Sequence, residues 1–168
     1  MEIDNSQRWR DKHQKSIYYA YKKAPYYEQY ESFLVELYQI EWQYLSGFNL
    51  FFLKYILEIL KIDVNIVKAS DLHFEGQKSD LVLDMCKKLG ADVYIFGAQG
   101  EGYADKAAFE QAGIKLIFQK YLHPTYLQLH GEFVSHLSII DALMNLGADE
   151  TKRIIQENNI TKLQLLEG

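Results

Sequence analysis

The stretch that most constrains this chain runs from Gly90 to Gly113, GADVYIFGAQGEGYADKAAFEQAG. It reads as a helix end, a short buried strand, a glycine-rich turn and a second short helix. Gly90 is placed to cap a helix that ends in Met85-Cys86-Lys87-Lys88-Leu89. Val93-Tyr94-Ile95-Phe96 is a brief apolar, β-favouring run, the pattern of a strand covered on both faces. Gly97, Gly100 and Gly102 follow at its C-terminal end, where open parallel sheets bind ligands and where glycines allow close backbone approach. The same glycines also suit a plain turn. Their spacing is neither the dinucleotide fingerprint nor a Gly-Lys-Ser/Thr phosphate loop.

On either side of this stretch the pattern alternates. Asp63 to Lys68, with β-branched Val64, Ile66 and Val67, reads as a strand, and Ser79 to Leu89 as a helix. Ala91–Phe96 is the next strand, Lys106–Ala112 a short helix and Ile114–Phe118 a third strand. Strand, helix, strand, helix, strand implies parallel strands joined by crossovers. The predicted class is therefore α/β: a helical N-terminal part, a small parallel three-stranded Rossmann-like sheet with flanking helices, and a helical C-terminus. The chain reads as a single domain over residues 1–168, with a helical part over 1–61, an α/β part over 62–158 and a tail over 159–168.

The N-terminal part carries helical spacing at Trp9, His13, Ile17, Ala20 and Tyr21, in a helix from about Gln7 to Lys22 capped by Asn5 or Ser6. A second helix from Pro25 to about Tyr38 aligns Tyr26, Tyr30, Phe33, Leu34 and Leu37 on one side, the spacing of a buried face. After Ser46-Gly47-Phe48-Asn49 comes a helix apolar nearly all round, as expected of one buried between layers. Near the C-terminus, Ser138 to Asn145 reads as a helix stopped by Gly147, and a last amphipathic helix begins at Asp149 or Glu150.

Each predicted strand leads into a polar or glycine-rich loop on one edge: Ser70-Asp71, Gly97 to Tyr103, and the long Tyr121 to His136. Long ordered loops in compact domains are commonly functional. The third loop holds His123, Tyr126, Gln128, His130 and His136. His123 and His130 are candidates for proton transfer, because imidazole titrates near neutral pH, although a solvated or core-bonded role fits each, taken singly, better. They lack the spacing of a zinc set, so no metal is expected, and no cofactor is identified. Ser138 and Asp141 read as a helix cap, a hydroxyl ahead of the helix and an acid in its first turn; the same helix start also suits a phosphate.

Charge narrows the partners. With 18 basic and 23 acidic residues the net charge is −5, which disfavours nucleic acid. The lone Cys86 excludes an internal disulfide, and no apolar run is long enough to span a bilayer, so a cytoplasmic location is expected. Thirteen tyrosines suit half-buried, half-wet surfaces such as sites and interfaces.

Several fragments form a recognisable set: Trp9 to His13; Tyr21-Lys22-Lys23-Ala24-Pro25-Tyr26-Tyr27; Asn49; Ser70-Asp71-Leu72 with Gly76; Cys86 to Asp92; Gly97 to Tyr103; Gly113-Ile114; Tyr121 with Pro124 to Gln128; Phe133; and Ser138 to Asp141 with Asn145 and Gly147. Together they resemble the WbqC-like family over roughly residues 9–150. The family's preceding Gln-Pro-x-aromatic-x-Pro and Asn-Arg segments have no counterpart, so the chain resembles the C-terminal two-thirds of the family and reads as N-terminally truncated. The resemblance implies a role in bacterial surface-polysaccharide and O-antigen biosynthesis, with no stated reaction. It implies a nucleotide-sugar or other phosphorylated substrate, bound through Ser70, Asp71, Gly97, Gly100, Tyr103, Tyr126, Gln128 and Ser138, with Asp141 orienting a polar group. The alternative is a non-catalytic subunit or inactive remnant, its open sheet edge completed by a partner chain or a second copy.

Overall fold

The computed structural model describes residues 1–157. It contains α1 (Trp9–Tyr21), α2 (Tyr27–Gln39), α3 (Leu45–Ile59), α4 (Ser79–Leu89), β1 (Val93–Phe96), α5 (Lys106–Gln111), β2 (Lys115–Phe118) and α6 (Ile139–Glu157). The chain divides into two compact units. One comprises Met1–Val64 with His123–Ile155, and the other is built on Asn65–Leu122. The tail expected over 159–168 lies outside the described residues.

The first unit is helical. Its core follows the apolar face of α2, where Tyr30, Phe33, Leu34, Leu37 and Tyr38 are all buried. Their spacing of three and four residues puts them on one side of the helix. Burial of each such side chain is worth about 1.5–3 kcal/mol, so this face dominates the unit's cohesion. Ile56 and Leu60 of the α3 end, and Leu143 and Met144 of α6, close the same cluster. Phe33 stacks on Tyr55 with ring centroids 3.4 Å apart. Contrary to the sequence expectation, α3 is covered on one side only: Leu53 remains 44% exposed while Ile56 is buried. The N-terminal cap also differs. Arg8 occupies that position and makes no side-chain cap, since its guanidinium has no acceptor to offer, and Asn5 is engaged elsewhere. Asn5 accepts from Trp9 Nε1 at 3.1 Å and donates to the Trp42 carbonyl at 2.9 Å, which fixes the start of α1 against the α2–α3 link.

The second unit holds α4, β1, α5 and β2 around Phe109, Phe96, Cys86 and Ile114, none more than 5% exposed. Burial pushes the Cys86 thiol above its usual value, as for an unreactive core cysteine. β1 and β2 pair in parallel from Val93↔Lys115 to Phe96↔Phe118. α4 stops at Gly90 as expected, in left-handed conformation. The turn after β1 is a short 3₁₀ segment, Ala98–Gly102. It lies so close on Phe96 that a Cβ at Gly100 would sit 2.4 Å from the ring, so this position requires glycine.

The third strand is a correction. Among the described residues the sheet has two strands, β1 and β2. Residues 63–68 join no ladder, and Val64, Ile66 and Val67 are exposed. Alternating β-branched residues state what a pleated neighbour would accept; they do not supply the neighbour. A Rossmann-like sheet needs at least one more parallel strand than β1 and β2 provide.

Candidate functional site

In the second unit, the predicted residues sit in exposed turns. Ser70 donates to Asp71 at 3.2 Å, and Asp71 pairs with Lys68 at 3.3 Å. A Cβ at Gly97 or Gly102 would meet open space, whereas Gly100 is buried on Phe96. Tyr103 is 53% exposed, its ring edge-on to Phe96.

In the first unit, the predicted residues converge on Asp141. This carboxylate is only 4% exposed, at the start of α6. Tyr21 donates to Oδ1 at 3.0 Å; Tyr126 and Gln128 donate to Oδ2 at 2.8 and 2.9 Å. Asn145 Nδ2 adds contacts to the Asp141 carbonyl and to Oδ1. A buried charge needs such donors, and the first turn of a helix also favours a negative group. Gln128 does a second task. Its amide exchanges two hydrogen bonds with the backbone of Val134, at 2.9 and 2.8 Å. The long loop, which has no helix or strand of its own, is thereby tied to α1 and α6 through one carboxylate. Ser138 takes the capping role expected of it: its hydroxyl accepts from the Ile140 N–H at 3.3 Å.

Both candidate histidines of the loop have ring nitrogens in use. His123 Nδ1 donates to the Pro124 carbonyl at 2.8 Å, and its Nε2 accepts from the His136 N–H at 3.2 Å. These two bonds require the same tautomer, with the ring proton on Nδ1. His130 Nε2 donates to the Ala20 carbonyl at 2.9 Å, fastening the loop to α1. Among the described residues no group of three or more His, Cys, Asp or Glu is arranged to hold a metal ion.

A cavity of about 390 Å³ opens in this unit, lined by residues of α1, α2, α3 and the start of α6. Its apolar wall is Ile17, Leu37, Phe48, Phe52 and Ile140; its polar lining is His13, Tyr21, Tyr38, Asn49 and Ser138. His13, Asn49 and Ser138 are exposed at the rim, whereas Tyr38 is buried. Tyr21 couples the cavity to Asp141. Tyr38 meets His13 Nδ1 at 2.9 Å, with the two rings edge to face. No lysine or arginine lines the space. His13 and Asn49 escaped selection as site residues from sequence. The available signal was a pair of polar positions within otherwise apolar helical faces, Trp9-to-His13 at one helical turn and Asn49 at the head of α3.

Burial, then the charge of Asp141 and its hydrogen bond, pushes the Tyr21 hydroxyl far above its usual range. Burial pushes Tyr38 up to about 12, and burial followed by Glu31 does the same to Tyr27. These folded values exceed the unfolded value of 10.0, so the neutral hydroxyl is what the fold stabilises. That contribution is whole below pH 10 and is lost as pH climbs through about 12. An alkaline titration followed by tyrosinate absorbance should show a late-ionising class whose appearance coincides with loss of circular dichroism. A single transition centred near the ordinary tyrosine value, with the fold intact, would contradict this.

The architecture defines a mixed α/β protein with a helical, aromatic-lined cleft. Residues 1–153 match the WbqC-like protein family, and the chain belongs to that family. An uncharacterized protein of Mycobacterium tuberculosis (strain ATCC 25618 / H37Rv) is 26% identical over 144 residues, which are 84% of this chain and 62% of that protein. The chain thus spans less than two thirds of this curated relative's length. No solved structure matches. Among the described residues no helix is long and apolar enough to cross a membrane.

Proposed function

We propose that this chain is an enzyme, or the portion of one, in bacterial surface-polysaccharide or O-antigen biosynthesis, and that its cavity at His13 binds the sugar of a nucleotide-sugar or other phosphorylated sugar. The observation that carries the reading is the lining of that cavity. Aromatic and aliphatic walls suit the C–H faces of a pyranose, and Asn49, Ser138 and His13 offer hydrogen-bonding groups at the rim. The absence of a cationic side chain from the lining favours the sugar over its phosphate as the occupant. The pathway is what the resemblance to the WbqC-like family implies, and it is part of the proposal.

Thermal-shift measurements against free sugars, nucleotides and nucleotide-sugars test this. A ligand at ten times its dissociation constant adds about 1.4 kcal/mol, which raises the melting temperature by roughly 3–6 °C in a chain of this size. The shift should appear with sugar-bearing compounds, and Asn49→Ala, an exposed change, should abolish it while leaving the unliganded melting temperature in place. Stabilisation by none of them at millimolar concentration, or an undiminished shift in Asn49→Ala, would sink the proposal.

A further inference from the structure

We infer that Tyr38 holds neutral His13 as the Nε2–H tautomer, so that the cavity presents an imidazole N–H donor to an acceptor oxygen of its ligand. The inference deepens the reading of this cavity as a sugar site, and its first test does not depend on that reading. The contact at 2.9 Å joins His13 Nδ1 to the Tyr38 hydroxyl. Either group can donate, but the alternatives are unequal. The Tyr38 side chain is only 5% exposed, and its hydroxyl meets no acceptor other than Nδ1 among the described residues. If Nδ1 carried the proton, the hydroxyl would lose its protein acceptor, a loss worth about tenfold in the tautomer ratio. With the hydroxyl donating, Nδ1 is satisfied and the ring proton stands on Nε2, which has no protein partner. His123 shows the opposite arrangement: there the partners dictate a proton on Nδ1.

The neighbours at the rim complete a donor-rich set. The Ser138 oxygen already accepts from Ile140, which leaves its hydrogen free to donate to a ligand. The Asn49 amide has no protein partner among the described residues and offers both a donor and an acceptor. Two donors beside one amide, with no lysine or arginine in the lining, match a neutral oxygen-rich group: a sugar hydroxyl, ring oxygen or acyl carbonyl. Tyr38 is then a positioning residue, and His13 is the group that touches the ligand.

Long-range ¹⁵N–¹H spectra of the histidine side chains at about pH 8.5, where imidazole is neutral, read the tautomer directly. His13→Gln identifies the signal by its loss. The expected result is a protonated Nε2 and bare Nδ1 at His13, in at least about tenfold excess, falling to within about threefold in Tyr38→Phe. That variant keeps the edge-to-face ring contact. A protonated Nδ1 in the native protein, or a ratio unmoved by Tyr38→Phe, overturns the inference; if the variant fails to fold, the native spectrum still decides. For a sugar that stabilises the protein, Tyr38→Phe should weaken binding by about three- to tenfold. If no sugar binds while the Nε2–H tautomer is found, the tautomer lock stands and the sugar reading falls.

Discussion

Asp141→Ala should destabilise the protein by about 3–5 kcal/mol in urea unfolding, by removing the acceptor that several part-buried donors share. Tyr21, Tyr126 and Gln128 each donate to this carboxylate, within 3.0 Å, and the residue is 4% exposed. Each orphaned donor costs about 1–3 kcal/mol, and entry of water into the vacated space returns part of the sum. Asp141→Asn keeps the shape but turns one acceptor into a donor that faces other donors, so about 1–3 kcal/mol is expected. The consequence for function follows from Tyr21, which lines the cavity while bonding to Asp141. Both variants should therefore lose ligand binding together with stability, whereas Asn49→Ala loses binding alone. An unfolding free energy in Asp141→Ala within about 0.5 kcal/mol of native would show that the loop is held by something other than this network.

The network also shows what a sequence can and cannot reveal. The helices were legible because apolar residues recur at three and four positions: α2, α4 and α6 begin or end within two residues of the expected places, and Gly90 and Gly147 stop or break them as their type requires. β1 and β2 were legible as short apolar runs bounded by turns. The strand expected at Asp63–Lys68 was not decidable from its residues, since a ladder depends on a neighbour distant in sequence. Asn5 has the right chemistry for a cap, yet it bonds instead to Trp9 four residues on and to the carbonyl of distant Trp42, the second a tertiary bond that no local pattern announces. The histidines make the same point about sites. His123, His130 and His13 carry one chemistry, and only partners distinguish them. Pro124 and His136 occupy both nitrogens of His123, whereas His13 keeps Nε2 at the mouth of a cavity. Asp141 was legible as a residue of interest from its place at a helix start. That three side chains from two distant segments would meet there was not.

Gly147→Ala is expected to be as damaging as the loss of Asp141, at about 3–5 kcal/mol, and for a backbone reason. Gly147 interrupts α6 with φ 76° and ψ 175°, a region open essentially to glycine alone, where another residue costs about 1–3 kcal/mol. An added Cβ would also lie 2.7 Å from the Tyr26 ring. The Tyr26 backbone cannot carry the ring away freely, because its N–H is bonded to the Met144 carbonyl at 3.1 Å and Met144 is 2% exposed in the core. Overpacking of this kind adds about 1–3 kcal/mol. Relief would require the first part of α6 to shift, and that part carries Asp141 and follows Ser138. Gly147→Ala should thus weaken the sugar-induced thermal shift as well as the fold. Gly102→Ala is the internal comparison: a Cβ there meets nothing within 4 Å, so a change within about 0.5 kcal/mol is expected. Equal stability of the two alanine variants in chemical denaturation would refute the claim that the break in α6 is what Gly147 is needed for.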